Sequence, residues 1–459
     1  MFKQAQKLKI AIIGAGSKTF SPLTIRDIML SDALHAVPVE LVLMDLNEAA
    51  AQRRAQYACR LAEGLRRTVV ISATTRLEEA VDGADFVITA IEVKRYHYWT
   101  QDFHLPRRYG FRQIFGENGG PGSMFHTLRN LGPMLEIAKA MERLSPDAWM
   151  INYTNPEAKL VEGVTRLSKI KAVGLCHGIE MGVEQLARIF EMDPRHLEVA
   201  ACGLNHFSWF QKIAHRQTGE DLYPELRRRD QAMNWLSEWD EIALSRIMFR
   251  TYGLWPLPGT NHVGEYIGWA DSYLASSHLQ FFYDPAAETP WETGNTPRWI
   301  YNLNDHPTSE PMYKKEPEGE DEATKPIAFE QLKPSSEVGI PLIEAIAFDR
   351  KTELRSVNMP NRGRIPGLAD EMVVELPAYA DGTGIHTRSM DALPDAVTEM
   401  IRIQGVIHKL VIEAYTEQSR RKLLQALLLD PTVSTYNNAV ALINEMCELQ
   451  KDILPTMHW

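Results

Sequence analysis

Cysteine is scarce. The four in 459 residues, Cys59, Cys176, Cys202 and Cys447, follow no framework spacing, which excludes a disulfide-stapled scaffold and points to a reducing compartment. No stretch approaches the ~18 consecutive apolar residues of a membrane span. The first residues, with Lys3, Lys7 and Lys9, lack an apolar signal core, so the expected location is cytoplasmic, with no membrane contact. Basic charge is short as well: 49 Lys and Arg against 60 Asp and Glu give a net charge of −11, opposite to the cationic surface that a nucleic acid needs. Internal repeats and low-complexity tracts are missing, which removes fibrous and disordered chains.

What remains is the composition of an ordinary enzyme-sized globular chain, long enough for two to three domains. From residue 8 to about 200, apolar β-branched runs alternate with helical patterns: Val39 to Met44, Val69 to Ile71, Phe86 to Ala90, Trp149 to Tyr153 and Ala172 to Leu175. This βαβ punctuation predicts an α/β fold, with an N-terminal Rossmann-type doubly wound sheet over 1–200. A C-terminal α+β domain over 201–459 would carry substrate, metal and oligomer contacts. Within it, Val199 to Leu204 reads as a strand and 226–252 as a helical stretch. The segment His306 to Glu337, with Pro307, Pro311, Pro317, Pro326 and Pro334, reads as a mobile excursion or lid, or as a disordered surface loop. Residues 391–452 are helical, with Val406, Leu410, Val411 and Ala414 on one face and a break at Asp430-Pro431. Such helices support a core or form a subunit interface.

Asp45, Glu92, Asn155 and Cys176 each lie just past an apolar run, where open α/β sheets put their binding crevices. In Gly14-Ala15-Gly16-Ser17 the first glycine permits a tight turn, and the second lets the backbone approach a pyrophosphate at the N-terminus of the next helix. The usual third glycine is absent, but a strand precedes the motif, a helical run from Ser21 to Leu30 follows it, and Asp45 closes the next strand. Gly14, Gly16, Ser17, Asp45 and Glu92 are therefore the cofactor-binding candidates. Asp45 would accept from a ribose diol and repel a 2′-phosphate, which favours NAD over NADP.

Cys176 and His206 make a thiolate and imidazole pair suited to a divalent transition ion, with open positions for substrate oxygens. Taken singly, each is more often an inert buried thiol or a satisfied core histidine. A redox cofactor beside such an ion suggests oxidation at a carbinol carbon, the ion acidifying the hydroxyl. A lactate/malate-type NAD-dependent dehydrogenase shares the nucleotide domain but has no use for a thiolate-bound metal.

Six runs in order, Gly14 to Ser17, Glu117-Asn118-Gly119-Gly120-Pro121-Gly122, Asn152-Tyr153-Thr154-Asn155-Pro156, Cys176-His177-Gly178, Gly203-Leu204-Asn205-His206, and Gly363 to Gly367 with Val373 to Pro377, together resemble glycoside hydrolase family 4 over nearly the whole chain. That family is an exception to the two-carboxylate rule of glycosidases. The resemblance implies NAD and Mn(II) or another divalent ion, oxidation of a sugar at carbon 3, loss of the carbon-2 proton, elimination of the aglycone, addition of water and re-reduction.

By motif, the resemblance makes Cys176 and His206 metal ligands and Asn118, Asn155, His177 and Asn205 substrate-binding residues. Tyr266 becomes the base and Asp271 a candidate acid. His177 stands where relatives acting on phosphorylated sugars carry Asn or Asp, which favours an unphosphorylated α-hexoside or α-hexuronide, cleaved from the chain end. The cations and aromatics of 92–99 and 107–112 resemble the uronidase-like branch, or else form a solvated basic surface. The resemblance also implies a homodimer or homotetramer.

Overall fold

The computed structural model describes residues 6–18, 20–232, 239–257, 259–273 and 321–459. Residues 233–238 of the expected helical stretch and 306–320 of the proline-bearing segment lie outside the described residues. The fold is α/β, a Rossmann-type doubly wound sheet followed by an α+β half.

The first six strands are β1 (Leu8–Ile13), β2 (Val39–Met44), β3 (Val69–Thr74), β4 (Phe86–Thr89), β5 (Trp149–Asn152) and β6 (Lys171–Gly174). They run parallel in the order β3-β2-β1-β4-β5-β6, with helices in the crossovers. Alternation within a strand decides which face each side chain serves. In β1, Ile10 and Ile12 join the core under helices Phe20–Leu30, Glu48–Gly64 and Gly339–Phe348. Ala11 and Ile13 join the opposite core under Gly120–Leu144, Glu157–Leu167 and Gly178–Phe190. Each fully buried Ile or Leu contributes about 2 kcal/mol.

The sheet does not stop at residue 200. It continues through β10 (Thr352–Pro360), β11 (Val373–Asp381), β7 (Leu197–Leu204), β8 (Phe207–His215) and β9 (Trp255–Pro256), with β12 (Gly384–Thr387) paired to β11. These pairings are antiparallel. One lateral row crosses five strands: Gly174 faces Asn358, Asn358 faces Glu375, Glu375 faces Gly203, and Gly203 faces Ser208.

The expected C-terminal helices are Asp395–Thr416, Arg420–Leu429 and Tyr436–Leu449, with the break at Asp430-Pro431 as expected. Their apolar side packs against Leu105, Phe111, Phe125 and Leu128. The inward stripe of the first helix differs from the expected one. Ile407, Val411 and Ala414 point in, whereas Val406 is 43% exposed, one step off the face that packs. From Asp321 to Glu337 the proline-bearing segment is largely exposed and touches the sheet's helices at separate points: Phe329 covers Gly64, and the Ser335 N–H donates to Asp27 Oδ1 at 2.8 Å.

Candidate active site

The glycine turn follows β1 directly. Gly14 has φ +84°, and a Cβ there would lie 2.3 Å from the Ala90 carbonyl oxygen, so neither the conformation nor the space admits another residue. Gly16 donates its N–H to Asp45 Oδ2 at 2.8 Å, and Asp45 Oδ1 accepts the Asn47 N–H at 2.8 Å. Ser17 Oγ accepts the Phe20 N–H at 3.1 Å, opening the helix on which a pyrophosphate would sit. Both glycines leave the backbone bare at the carboxyl end of β1. The turn fits a dinucleotide, with Asp45 half-buried at its ribose edge.

Glu92 follows β4, and its carboxylate lies 3.0 Å from His126 Nε2 and accepts from Asn130 Nδ2 at 3.3 Å. The same Asn130 nitrogen donates to the Asn155 carbonyl at 3.0 Å, which ties Glu92 to Asn155.

Asn205 and His206 form the two-residue turn between β7 and β8, and His206 takes φ +64°, a left-handed conformation that costs a non-glycine residue energy. Asn118 Nδ2 lies 3.2 Å from His206 Nδ1 and fixes the ring, leaving Nε2 as the nitrogen not engaged by Asn118. The His206 and His262 rings meet edge to face at 4.2 Å. Burial, followed by the neighbouring His262, drives His206 well below its ordinary pKa, so the imidazole is neutral and able to ligate.

Tyr266 is buried, stacks on Phe207 at 5.0 Å and donates its hydroxyl to the Asn205 carbonyl at 3.0 Å. Burial and the carboxylates of Glu265, Glu157 and Glu375 hold its phenol well above 10, so lowering it toward neutral pH requires a cation.

Cys176 and His177 stand at the N-terminus of helix Gly178–Phe190, where the Gly178 N–H favours a thiolate. Burial and then Glu375 act in the other direction and win, pushing the thiol up to about 12. His177 is 57% exposed, with Nδ1 3.6 Å from Glu337 Oε1, and that partner raises its pKa. A small polar pocket opens here, lined by Cys176, His177, Glu180, Glu337, Arg355 and Ser356, in which Arg355 pairs with Glu180.

Several charged groups of the site went unread in the sequence. Glu157 and Glu375 are buried beneath Cys176: Glu375 accepts from Ser208 Oγ at 2.6 Å, whereas neither oxygen of Glu157 has a protein partner. A Cβ on Gly174 would lie 1.1 Å from Glu157 Oε1, so that glycine exists to seat the carboxylate. Both side-chain polar atoms of Asn205 and of Asn358 are also buried without a hydrogen bond. Glu265 accepts the N–H groups of Glu117 at 2.7 Å and Asn118 at 3.0 Å, and Lys159 donates to the Asn118 carbonyl, so a buried acid and base clamp the Glu117–Gly122 run from two sides. An acid between apolar residues, as in Val374-Glu375-Leu376, was the available signal.

The arginines expected to line the crevice are committed elsewhere. Arg107 donates to the Gln113 carbonyl at 2.7 Å, and Arg108 pairs with Glu445. Arg112 engages Asp271 Oδ2, while Asp271 Oδ1 is buried without a hydrogen bond.

The donors present suit a metal with two protein ligands. Among the described residues, no three His, Cys, Asp or Glu side chains form a complete cage; Cys176 follows β6, and His206 with the orphaned Asn205 amide follows β7, separated from β6 by β10 and β11 in the same sheet.

Residues 9–192 match the model of family 4 glycosyl hydrolases, and residues 201–433 match the model of the family 4 glycosyl hydrolase C-terminal domain. The chain belongs to family 4 of the glycosyl hydrolases. An alpha-glucosidase of Erwinia rhapontici is 31% identical to this family 4 chain over 451 residues, covering 96% of each. The lplD protein of Bacillus subtilis superposes with a TM-score of 0.77 at 25% identity, over 96% of this chain and 99% of the other. A 6-phospho-alpha-glucosidase from gut microorganisms, crystallised with NAD and Mn2+, has the same fold, with a TM-score of 0.76 at 22% identity over 98% of this chain and 100% of the other. A family 4 chain accounts for a glycine turn and a cysteine-histidine pair on one sheet.

Proposed function

We propose that this family 4 glycosidase hydrolyses an unphosphorylated α-hexoside or α-hexuronide from the chain end, with NAD and Mn(II), in the cytoplasm and as a homo-oligomer. The observation that carries the reading is the cluster in which Asn118 meets His206 while the backbone carbonyl of the adjacent Asn205 accepts the Tyr266 hydroxyl. NAD and Mn2+ accompany the gut 6-phospho-alpha-glucosidase of the same fold. When bound, the cofactor supplies reversible hydride transfer at carbon 3 and the ion polarises the sugar oxygens there.

The chain's own residues do the rest. Gly14, Gly16 and Ser17 cradle the dinucleotide and Asp45 faces its ribose. Cys176 and His206 hold the ion. Asn155, Asn118, Asn205 and His177 orient the hydroxyls. Tyr266 removes the proton at carbon 2, and Asp271, with its unpartnered Oδ1, is the candidate acid for the leaving group.

The polar pocket supports an unphosphorylated sugar. Its arginine is already matched, Arg355 by Glu180, and His177 stands against Glu337, so a phosphate dianion would meet two carboxylates. The test is a panel of p-nitrophenyl α-glucoside, α-galactoside, α-glucuronide and α-galacturonide, with and without NAD, Mn(II) and reductant. Release that requires both NAD and metal is expected; no release from any of the four under reducing conditions would sink the reading.

A further inference from the structure

Arg54, on the helix that follows Asp45, is 1% exposed. Its Nε donates to the Ser17 carbonyl at 3.0 Å and its Nη2 to the Gly16 carbonyl at 3.4 Å, so the guanidinium lies against the glycine turn itself. Gly16 thus has Asp45 on its N–H and Arg54 on its carbonyl. The remaining edge of the fork is filled from far along the chain. Arg54 Nη1 donates to both oxygens of Asp321, at 2.8 and 2.9 Å.

Asp321 is 15% exposed, so the seat of its carboxylate opens to solvent. Arg60 holds the carbonyls of Ala323 and Lys325 just beyond it, and Asp321 Oδ1 accepts the Ala323 N–H at 3.0 Å, which fixes the carboxylate on the guanidinium.

We propose that Asp321 is a cofactor-selecting residue, which acts through Arg54 to exclude a dinucleotide bearing a 2′-phosphate. The inference rests on the dinucleotide reading of the glycine turn. An arginine beside the ribose edge is the group that accommodates a 2′-phosphate in Rossmann sites, because its planar fork grips phosphate oxygens in pairs. Here that fork is present, preorganised against the turn and already occupied. With Asp321 in place the edge carries two carboxylates, Asp45 and Asp321, against one guanidinium, and Arg54 Nη1 already donates to both Asp321 oxygens. Without it, a phosphate could take the same seat and the repulsion would fall by one charge. Discrimination thus comes from two sources, repulsion by Asp45 and occupation of Arg54 by Asp321.

The test is fluorescence titration of the full chain with NADH and with NADPH, for wild type, Asp321→Ala, Asp321→Asn and the Arg54→Gln/Asp321→Ala pair. Thermal melting follows folding in parallel. In Asp321→Ala the NADPH-to-NADH affinity ratio should rise about tenfold, the scale of one charge-assisted contact. The rise should shrink with added salt and vanish in the double variant. Asp321→Asn, which keeps an acceptor on the guanidinium, should show a smaller rise and carries the test if the alanine variant does not fold. An unchanged ratio in a folded single variant, or a rise that persists without Arg54, overturns the assignment. A wild type that binds neither nucleotide overturns the dinucleotide reading, and this inference with it.

Discussion

Replacing Glu375 with glutamine should make the metal-free protein more stable at pH 8 and leave it unchanged at pH 4.5. Glu375 is fully buried in the Gly174–Ser208 row. Burial raises its carboxyl from 4.5 to about 7, although Ser208 and Ser356 hydrogen bonds pull the other way. A carboxyl raised in the folded state holds a proton that the unfolded chain releases. Its stabilising contribution is therefore complete below about 4.5 and is lost as pH rises through about 7. A displacement of about 2.5 units corresponds to about 3 kcal/mol. Glutamine resembles the protonated form at every pH, so the stability difference between variant and wild type should open from near zero to about 3 kcal/mol across that window. Urea unfolding with chelator at half-unit pH steps would measure it. A difference that stays flat within about 1 kcal/mol between pH 4.5 and 8 would refute the reasoning, and would mean that solvent or a bound cation already compensates the carboxylate.

Gly174→Ala forces a methyl into the seat of Glu157 and should cost about 1–3 kcal/mol by thermal unfolding, partly recovered when Glu157→Ala is added. Arg129→Met strands the buried Asp102, which Arg129 Nη2 meets at 2.7 Å, and should cost about 3–5 kcal/mol in urea. Adding Asp102→Leu should restore most of that loss, and a double variant no better than the single would count against the pairing argument. Asn118→Ala removes the partner that fixes His206 and should weaken Mn(II) binding about 10–100-fold in competition with a chelating dye. Unchanged affinity would mean that Asn118 does not orient a ligand.

Much of the nucleotide half was legible because its signals are local. β1 and β2 are apolar runs interrupted only by Lys9 and Glu40, the glycine turn follows the first, and Asp45 closes the second. The tip bearing Asn205 and His206 was legible as motif but not as geometry, since the left-handed φ of His206 depends on the pairing of β7 with β8.

The continuation of the sheet could not be read from the chain. It depends on Asn358 reaching Gly174, 184 positions earlier in the chain, a contact that periodicity does not encode. Glu157 escaped notice because an acid in the first turn of a helix is ordinary there, and only the bare Gly174 opposite gives it a buried role. The arginines at 107, 108 and 112 misled for the converse reason. Their clustering in sequence suggested a shared ligand, whereas a carbonyl and two separate carboxylates divide them.

The join between β6 and β10 bears on how a sugar enters and leaves. Enzymes that close by swinging one lobe over another need a hinge between the lobes. Here helix Glu157–Leu167 packs across β10 and β11 as well as β6, and the residues at the seam, Gly174, Asn358 and Glu375, are buried. A swing at that seam would part Asn358 from Gly174 and wet Glu157 and Glu375. The floor of the site is therefore stiff, and admission of substrate falls to the rim, where exposed His177 leans on Glu337 and Arg355 leans on Glu180. Amide hydrogen exchange should be slow without interruption from β5 through β7 and faster at the residues around those two ion pairs.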